Sequence, residues 1–453
     1  MTGRAKFIVE GLRSGVPYRD LAKTVAFGRE KYIDIVKRMM EGVEQGRAPK
    51  LPSLVLRANY GEGKTHLLHS LWGAGEDRNW VVSFVSLSKE TPLDRLDYLY
   101  PKLMGNTYIP GSAQPGIAYI VAKALESQLL PEARTMGMSD RIMAVLDGLV
   151  VHDEGYDELL ADVAGDFLSV ADLKRIYRQN LGRAPQLTKS SLKDEAFEYM
   201  RLIDWLIQKA GFAGWLILID EVELVGKSGK GARSQAYANM GRLIEGKLPH
   251  ALSVWALAAN FFSDVLIRRN DREECPRWLA ARPKEEERAP WSEAALDALL
   301  ESKLLDPLTV TQVKALVRQI HELHQEAYAW SAPFDGGDLY EQVRRFAPTQ
   351  DTRLRTYVRL SLEILDVWYQ HEESPVIEYL DPLQDAALDE QTEQNMVVGG
   401  EAGGDGSDGE DLWRGEGQMD GDGRKDGGDG EADEANSEPD QPNMITRRLI
   451  FHD

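Results

Sequence analysis

An α/β fold with a parallel sheet at its core is predicted by three features of the sequence. Four short runs are apolar throughout, helical periodicity fills the stretches between them, and a glycine-rich turn closes the first run. Continuous apolar runs suit strands covered on both faces, and strand–helix alternation suits parallel pairing. A helical insertion, an α-helical end unit and a disordered acidic tail complete the expected architecture.

Residues 1–50 read as an N-terminal helical segment: FIVEGLRSG, a break at Pro17, then GREKYIDIVKRMMEGVEQG with helical apolar spacing. The core is expected over residues 51–295. Its strands are LPSLVLRA (51–58), WVVSFVSL (80–87), WLILI (215–219) and LSVWALAA (252–259). Residues 88–214 form a mostly helical insertion, whose last helix, SSLKDEAFEYMRLIDWLIQKAG, stops at Gly211 as a C-terminal cap would. A polar, Arg-rich, Pro-containing stretch follows at 262–292.

The helical end unit is expected over 296–384. ESKLLDPLTVTQVKALVRQIHELH reads as a short strand and then a helix, with Thr309 and Gln312 at the spacing of a capping box. Two more helical segments cover 338–346 and 351–370. From Asp385 apolar periodicity stops. Residues 399–430 hold 13 glycines among acidic residues, too little apolar surface to offset ordering entropy, so 385–443 are expected to be a disordered tail. The last residues, 444–453 (MITRRLIFHD), are apolar and basic. The tail is either a solubilising spacer or a tether that raises the local concentration of this peptide near a partner.

Composition narrows the function. The chain has 453 residues and a formal charge of −21. Residues 399–442 contribute −12 and residues 443–453 contribute +1, leaving −10 on residues 1–398. A generally basic, phosphate-coating protein is excluded, although a local basic groove is not. Cys275 is the sole cysteine, so no intrachain disulfide or cysteine metal cluster can form. No run is apolar over the roughly 20 residues a membrane helix needs, and the N-terminus lacks the apolar core of a signal peptide. A soluble cytoplasmic protein, with no membrane contact, is expected.

Ala58-Asn59-Tyr60-Gly61-Glu62-Gly63-Lys64-Thr65 fits a phosphate-binding loop, with Ala58 where a first glycine is usual. Such a loop turns backbone N–H groups around a phosphate at a helix N-terminus. Gly61 and Gly63 permit the tight backbone, Lys64 reaches the β- and γ-phosphates, and the Thr65 hydroxyl suits Mg²⁺. His66 completes the candidate nucleotide-contacting set. WLILIDE is the companion motif. It delivers Asp220 to the metal shell and Glu221 as general base beside the attacking water. ATP and Mg²⁺ are the expected cofactors. Glu223 is expected on the surface.

Asn260, closing the fourth strand, is a candidate for positioning the hydrolytic water, or else a helix cap. An arginine acting from a neighbouring subunit is sought among Arg268, Arg269, Arg272, Arg277 and Arg282, with Arg282 preferred because LAAR precedes the next strand. Arg353 and Arg355 start a helix from which they could touch nucleotide phosphate, or else form a solvated or nucleic-acid-facing surface. His66 and His69, and His321 and His324, lie one turn apart without a zinc signature, so packing or surface roles are expected. Cys275 has no catalytic context.

These residues resemble the ATP-binding protein family of BREX phage-defence systems, the BrxC/BrxD type. The resemblance covers about residues 5–370 and rests on FIVEGLRSGVP, the Phe27-Gly28-Arg29-Glu30 box, NYGEGKTHLL, GFAGWLILIDEVE, SQAYANMGRLI and LLDPLTVTQVKALV. It implies an AAA+-like P-loop fold in which residues 296–384 act as a lid. It also implies a GRE box beside the adenine, making Gly28 and Arg29 candidate nucleotide contacts. No winged-helix domain is expected after the lid, and the long helical insertion and acidic tail are departures from the family pattern.

Three functions compete: a Mg²⁺-dependent ATPase working in a homo- or hetero-oligomer with other defence-system proteins, a nucleotide-switched assembly module with slow turnover, and a DNA-associated loader. The −10 charge of the folded part makes the loader the weakest.

Overall fold

The structure is a computed structural model that describes residues 2–14, 28–47, 52–188, 190–346 and 353–371. The acidic tail (385–443), the C-terminal peptide (444–453) and Phe27 lie outside the described residues.

Six strands form one sheet: β1 Ser53–Ala58, β2 Trp80–Ser86, β3 Thr107–Tyr108, β4 Gly214–Asp220, β5 Ala251–Ala258 and β6 Lys303–Leu304. Their order is β3-β2-β4-β5-β1-β6. Every neighbouring pair is parallel except β2–β3. The four predicted strands are its centre. Every residue of β4 and β5 is buried, as their unbroken apolar sequences require.

Alternation along β4 shows how both faces are used. Leu216 and Leu218 pack with Tyr32, Val36 and Met40 of helix Glu30–Glu44 and with Leu67 and Leu71 of helix Lys64–Glu76. Ile217 and Ile219 turn to the opposite layer, among Phe197, Ile203, Tyr237 and Leu296. Each fully buried side chain of this kind contributes roughly 1.5–3 kcal/mol.

The predicted helical insertion is seen, as helices Leu96–Gly105, Ile117–Leu125, Leu129–Thr135, Asp140–Val151, Tyr156–Ala161, Val170–Leu181 and Leu192–Lys209. Ser139, Ser169 and Ser191 cap three of them, each accepting a backbone N–H. These helices share the second layer's core with the sheet. Gly211 follows helix Leu192–Lys209 at φ +84° and donates to Gln208 O, the predicted stop. Strand β3 inside this stretch was not expected.

The polar stretch 262–292 is largely helical, with a π turn at Phe262–Ile267 and a helix at Asp271–Ala280. Helices Val310–Tyr328, Gly336–Phe346 and Leu354–His371 form the end unit, and the Thr309–Gln312 capping box is present. The expected N-terminal segment divides between two places. Helix Thr2–Ser14 joins the end unit's core through Ala5, Ile8 and Val9, with Arg13 2.7 Å from Asp366, while helix Glu30–Glu44 lies on the sheet.

Candidate nucleotide site

Parallel pairing brings the carboxyl ends of β1, β5 and β4 to one edge of the sheet. Ala58 is in register with Ala258, and β5 separates β1 from β4. Ala58 accepts a backbone N–H from Ala259 at 2.9 Å. A strand residue needs no glycine, which accounts for alanine here.

Beyond Ala58 the chain makes the loop. Gly61 (φ +78°) and Gly63 (φ +86°) adopt the left-handed conformation that glycine takes without strain. Glu62 clasps the loop's own start: its carboxylate accepts the Asn59 backbone N–H and side-chain amide, both at 3.0 Å. Lys64 Nζ reaches back to Ala58 O at 3.3 Å. Gly63 precedes helix Lys64–Glu76 and no side chain caps that helix start. Its first N–H groups therefore form a site suited to an anion.

Across β5 stands Asp220. Thr65 Oγ1 donates to Asp220 Oδ2 at 2.5 Å, and Asp220 Oδ1 accepts the Glu221 N–H at 2.9 Å. Glu221 sits at φ +57°, a strained position for a side-chain-bearing residue. Glu223 corrects the expectation of a surface residue. The 3-10 turn Val222–Lys227 carries it inward, and its carboxylate accepts the Ala258 N–H at 3.0 Å.

Burial raises the pKa of all three carboxyls. For Asp220, the Thr65 and Glu221 hydrogen bonds and then the Lys64 charge act in the opposite sense. Glu221 is exposed along its side chain, yet its carboxyl is crowded enough for burial to act first and the Asp220 charge second. For Glu223, burial leads and the Lys64 charge opposes it. Three carboxylates around one ammonium favour a further cation. A hydroxyl and a carboxylate are the hard oxygen donors that suit Mg²⁺. No cage of three or more His, Cys, Asp or Glu exists among the described residues, and Mg²⁺ needs none, because it retains waters and takes phosphate oxygens.

The lid meets the loop directly. Arg355 N–H donates to Gly61 O at 3.3 Å, and the Arg355 guanidinium lies 6.0 Å from the Tyr60 ring centre. A methyl group on Gly61 would stand 3.4 Å from Arg355 Cβ and 3.8 Å from Arg353 Cβ. Arg353 and Arg355 thus lie over the loop. Arg29 also reaches this region, whereas Gly28 lies against Leu308 and Gln312. Arg29 is buried and donates to Glu62 O at 2.8 Å and to Asp306 O at 2.6 Å.

The remaining candidates are less central. Asn260 lies just past β5, one residue beyond the bond between Ala259 and Ala58, with its carbonyl accepting the Ser263 hydroxyl. Arg282 stacks on Trp278 at 3.6 Å and donates to Trp278 O. Helix Ala289–Leu300 follows it, so it does not lead straight into a strand as expected. Arg269 donates to Gly226 O, while Arg268, Arg272 and Arg277 pair with Asp264, Asp297 and Glu273. His66 is in the first turn of the loop's helix, and its carbonyl accepts the Ser70 hydroxyl. His69 stacks on Phe84, while His321 and His324 pack in the lid against Phe334 and Trp330.

Sequence reasoning missed Glu223 and the two-carbonyl engagement of Arg29. Neither has a pattern signal, because both depend on where a turn and a distant backbone come to rest.

In structure, the chain is similar to a Walker-type ATPase of Pyrococcus abyssi, at 11% identity over 82% of this chain and 74% of that one, with a TM-score of 0.34. No curated relative matches this sequence. Residues 2–141 and 172–382, most of the chain, match the family described as BREX system ATP-binding protein BrxC/D, and the chain belongs to that family.

Proposed function

We propose that the chain binds ATP with Mg²⁺ at residues 58–66 and hydrolyses it as a working part of a BREX defence assembly. The observation that carries this reading is the 2.5 Å bond from Thr65 Oγ1 to Asp220 Oδ2 beside Lys64. A helix start, a lysine and a hydroxyl–carboxylate pair converge on one edge of the sheet. When bound, Mg²⁺ would offset phosphate charge.

The chain's own residues divide the remaining work. The helix N-terminus and the loop N–H groups bind the β-phosphate, and Lys64 spans the β- and γ-phosphates. Thr65 and Asp220 hold the metal. Glu221 accepts the proton of the attacking water, as its raised pKa suits. Asn260 orients that water, Arg353 and Arg355 approach the phosphates from the lid, and Arg282 acts on a neighbouring copy.

Glu221→Gln and Lys64→Ala test this. The first should keep ATP uptake, measured by calorimetry with magnesium, and lose turnover. The second should lose uptake. Turnover that survives Glu221→Gln overturns the assignment of the base, and wild-type protein that takes up no ATP overturns the site.

A second reading, a slow nucleotide switch, is favoured by one contact, the Arg355 N–H on Gly61 O. It lets loop occupancy reach the lid without turnover. Phage defence retained by Glu221→Gln would select it. Either reading places the protein in the cytoplasm with other defence proteins, as a homo- or hetero-oligomer, with DNA contact confined to a local groove. No helix among the described residues is long and apolar enough to cross a membrane.

A further inference from the structure

The Arg29 side chain is 5% exposed, and both arms of its guanidinium end on backbone carbonyls. One carbonyl, Glu62 O, belongs to the peptide that joins Glu62 to Gly63 in the loop. The other, Asp306 O, belongs to the segment between β6 and lid helix Val310–Tyr328. A planar fork can hold two fixed acceptors at once, which the point charge of a lysine cannot reproduce.

The peptide plane gives this contact a consequence. In a trans peptide the C=O and the next N–H point in opposite directions. Holding Glu62 O outward turns the Gly63 N–H inward, toward the helix start where an anion would sit. Gly28 allows the close approach. It has φ +67°, and a methyl group there would meet Leu308 Cδ2 at 2.4 Å and Gln312 Cδ at 2.8 Å. From the lid's other end, the Arg355 N–H holds Gly61 O.

We infer that Arg29 is a positioning residue: it aims the Gly63 N–H at the β-phosphate and couples that aim to the seating of the lid. This rests on the nucleotide-binding reading of the loop. It differs from a direct adenine contact, because both arms of the side chain are already engaged.

The test compares wild type, Arg29→Met and Arg29→Lys in binding ADP, tripolyphosphate and adenosine, with magnesium present for the two phosphate ligands. Arg29→Met should bind ADP and tripolyphosphate about ten- to a hundredfold more weakly, the loss expected of a charge-assisted hydrogen bond. Its adenosine binding should match wild type, and Arg29→Lys should recover only part of the loss. In wild type, ADP should slow hydrogen exchange in helix Leu354–His371, and in Arg29→Met it should not.

Equal ADP affinity in wild type and Arg29→Met overturns the inference. So does a loss of adenosine binding as large as that of ADP. Should Arg29→Met fail to fold, wild-type exchange decides, and no slowing by ADP overturns the coupling. Wild type that takes up neither ADP nor ATP overturns the nucleotide-binding reading itself, a separate result.

Discussion

Thr65 and Asp220, 155 residues apart in the chain, share a 2.5 Å hydrogen bond that spans the strand between them. The hydroxyl stabilises a carboxylate that burial would otherwise protonate more readily. The pair thus serves the fold and holds two oxygen donors in place.

Thr65→Ala and Thr65→Ser separate those roles. Thr65→Ala leaves Asp220 without that donor, which should cost about 1–3 kcal/mol of stability and remove the dependence of ATP affinity on magnesium. Thr65→Ser should keep both. Denaturant unfolding and calorimetry with and without EDTA are the measurements. Magnesium dependence that persists in Thr65→Ala would show that this hydroxyl is not a ligand.

Glu223 offers a second contrast. Its carboxylate satisfies the Ala258 N–H at the end of β5. Glu223→Ala orphans that buried donor and should cost about 1–3 kcal/mol. Glu223→Gln keeps an acceptor and should unfold close to wild type. Both are distinct from Glu221→Gln, which should lose turnover with no loss of stability. If Glu223→Gln and Glu223→Ala destabilise equally, the acceptor is not what matters at this position.

The four central strands were legible because burial on both faces demands unbroken apolar runs, and WLILI and LSVWALAA satisfy that locally. Gly211 and the Thr309–Gln312 box were legible because caps are local chemistry. Strand β3 was not. Two residues carry no pattern, and what places them is the buried hydroxyl pair Ser83–Thr107, 2.6 Å apart across strands. Helix Asp271–Ala280 was hidden by its charge and Pro276. Its inward face includes Asp271, Cys275 and Leu279, and Asp271 is buried only because Arg233 and Tyr237 bind it. Hydropathy cannot anticipate a paired buried charge. The loop and WLILIDE announced themselves, whereas Glu223 and the Arg29 strut depend on tertiary placement.

Glu44 provides a pH-dependent prediction. It closes helix Glu30–Glu44 and receives Arg78 Nη2 at 2.6 Å, Arg78 Nε at 3.0 Å and Trp80 Nε1 at 2.8 Å. The Arg78 hydrogen bonds, opposed by burial and aided by Trp80, hold its carboxyl below the ordinary value. A depressed pKa in the fold adds stability above the unfolded value and loses it as pH falls through the folded one. The pair is partly exposed, so the wild-type advantage over Glu44→Gln should be about 0.5–1 kcal/mol at neutral pH. It should shrink as pH drops below about 4.3. Urea unfolding of both proteins across that range tests this, and a constant difference would contradict the ion pair.

Gly241 makes the strongest claim about packing. Helix Lys230–Ile244 crosses helix Ala289–Leu300 at this residue, and a methyl group there would lie 1.8 Å from Trp291 O. The obstacle is backbone, so relief requires the two helices to separate. Separation would also pull the Arg242 guanidinium from the Trp291 ring, now 4.9 Å away. Gly241 has no positive φ, so backbone strain is not the issue. Helix propensity alone would favour Gly241→Ala by about 1 kcal/mol. The two effects therefore oppose each other, and overpacking against fixed backbone should win, for a net loss of about 3 kcal/mol or more. If Gly241→Ala melts at or above the wild-type temperature, propensity has won and the helices do not cross as closely as described.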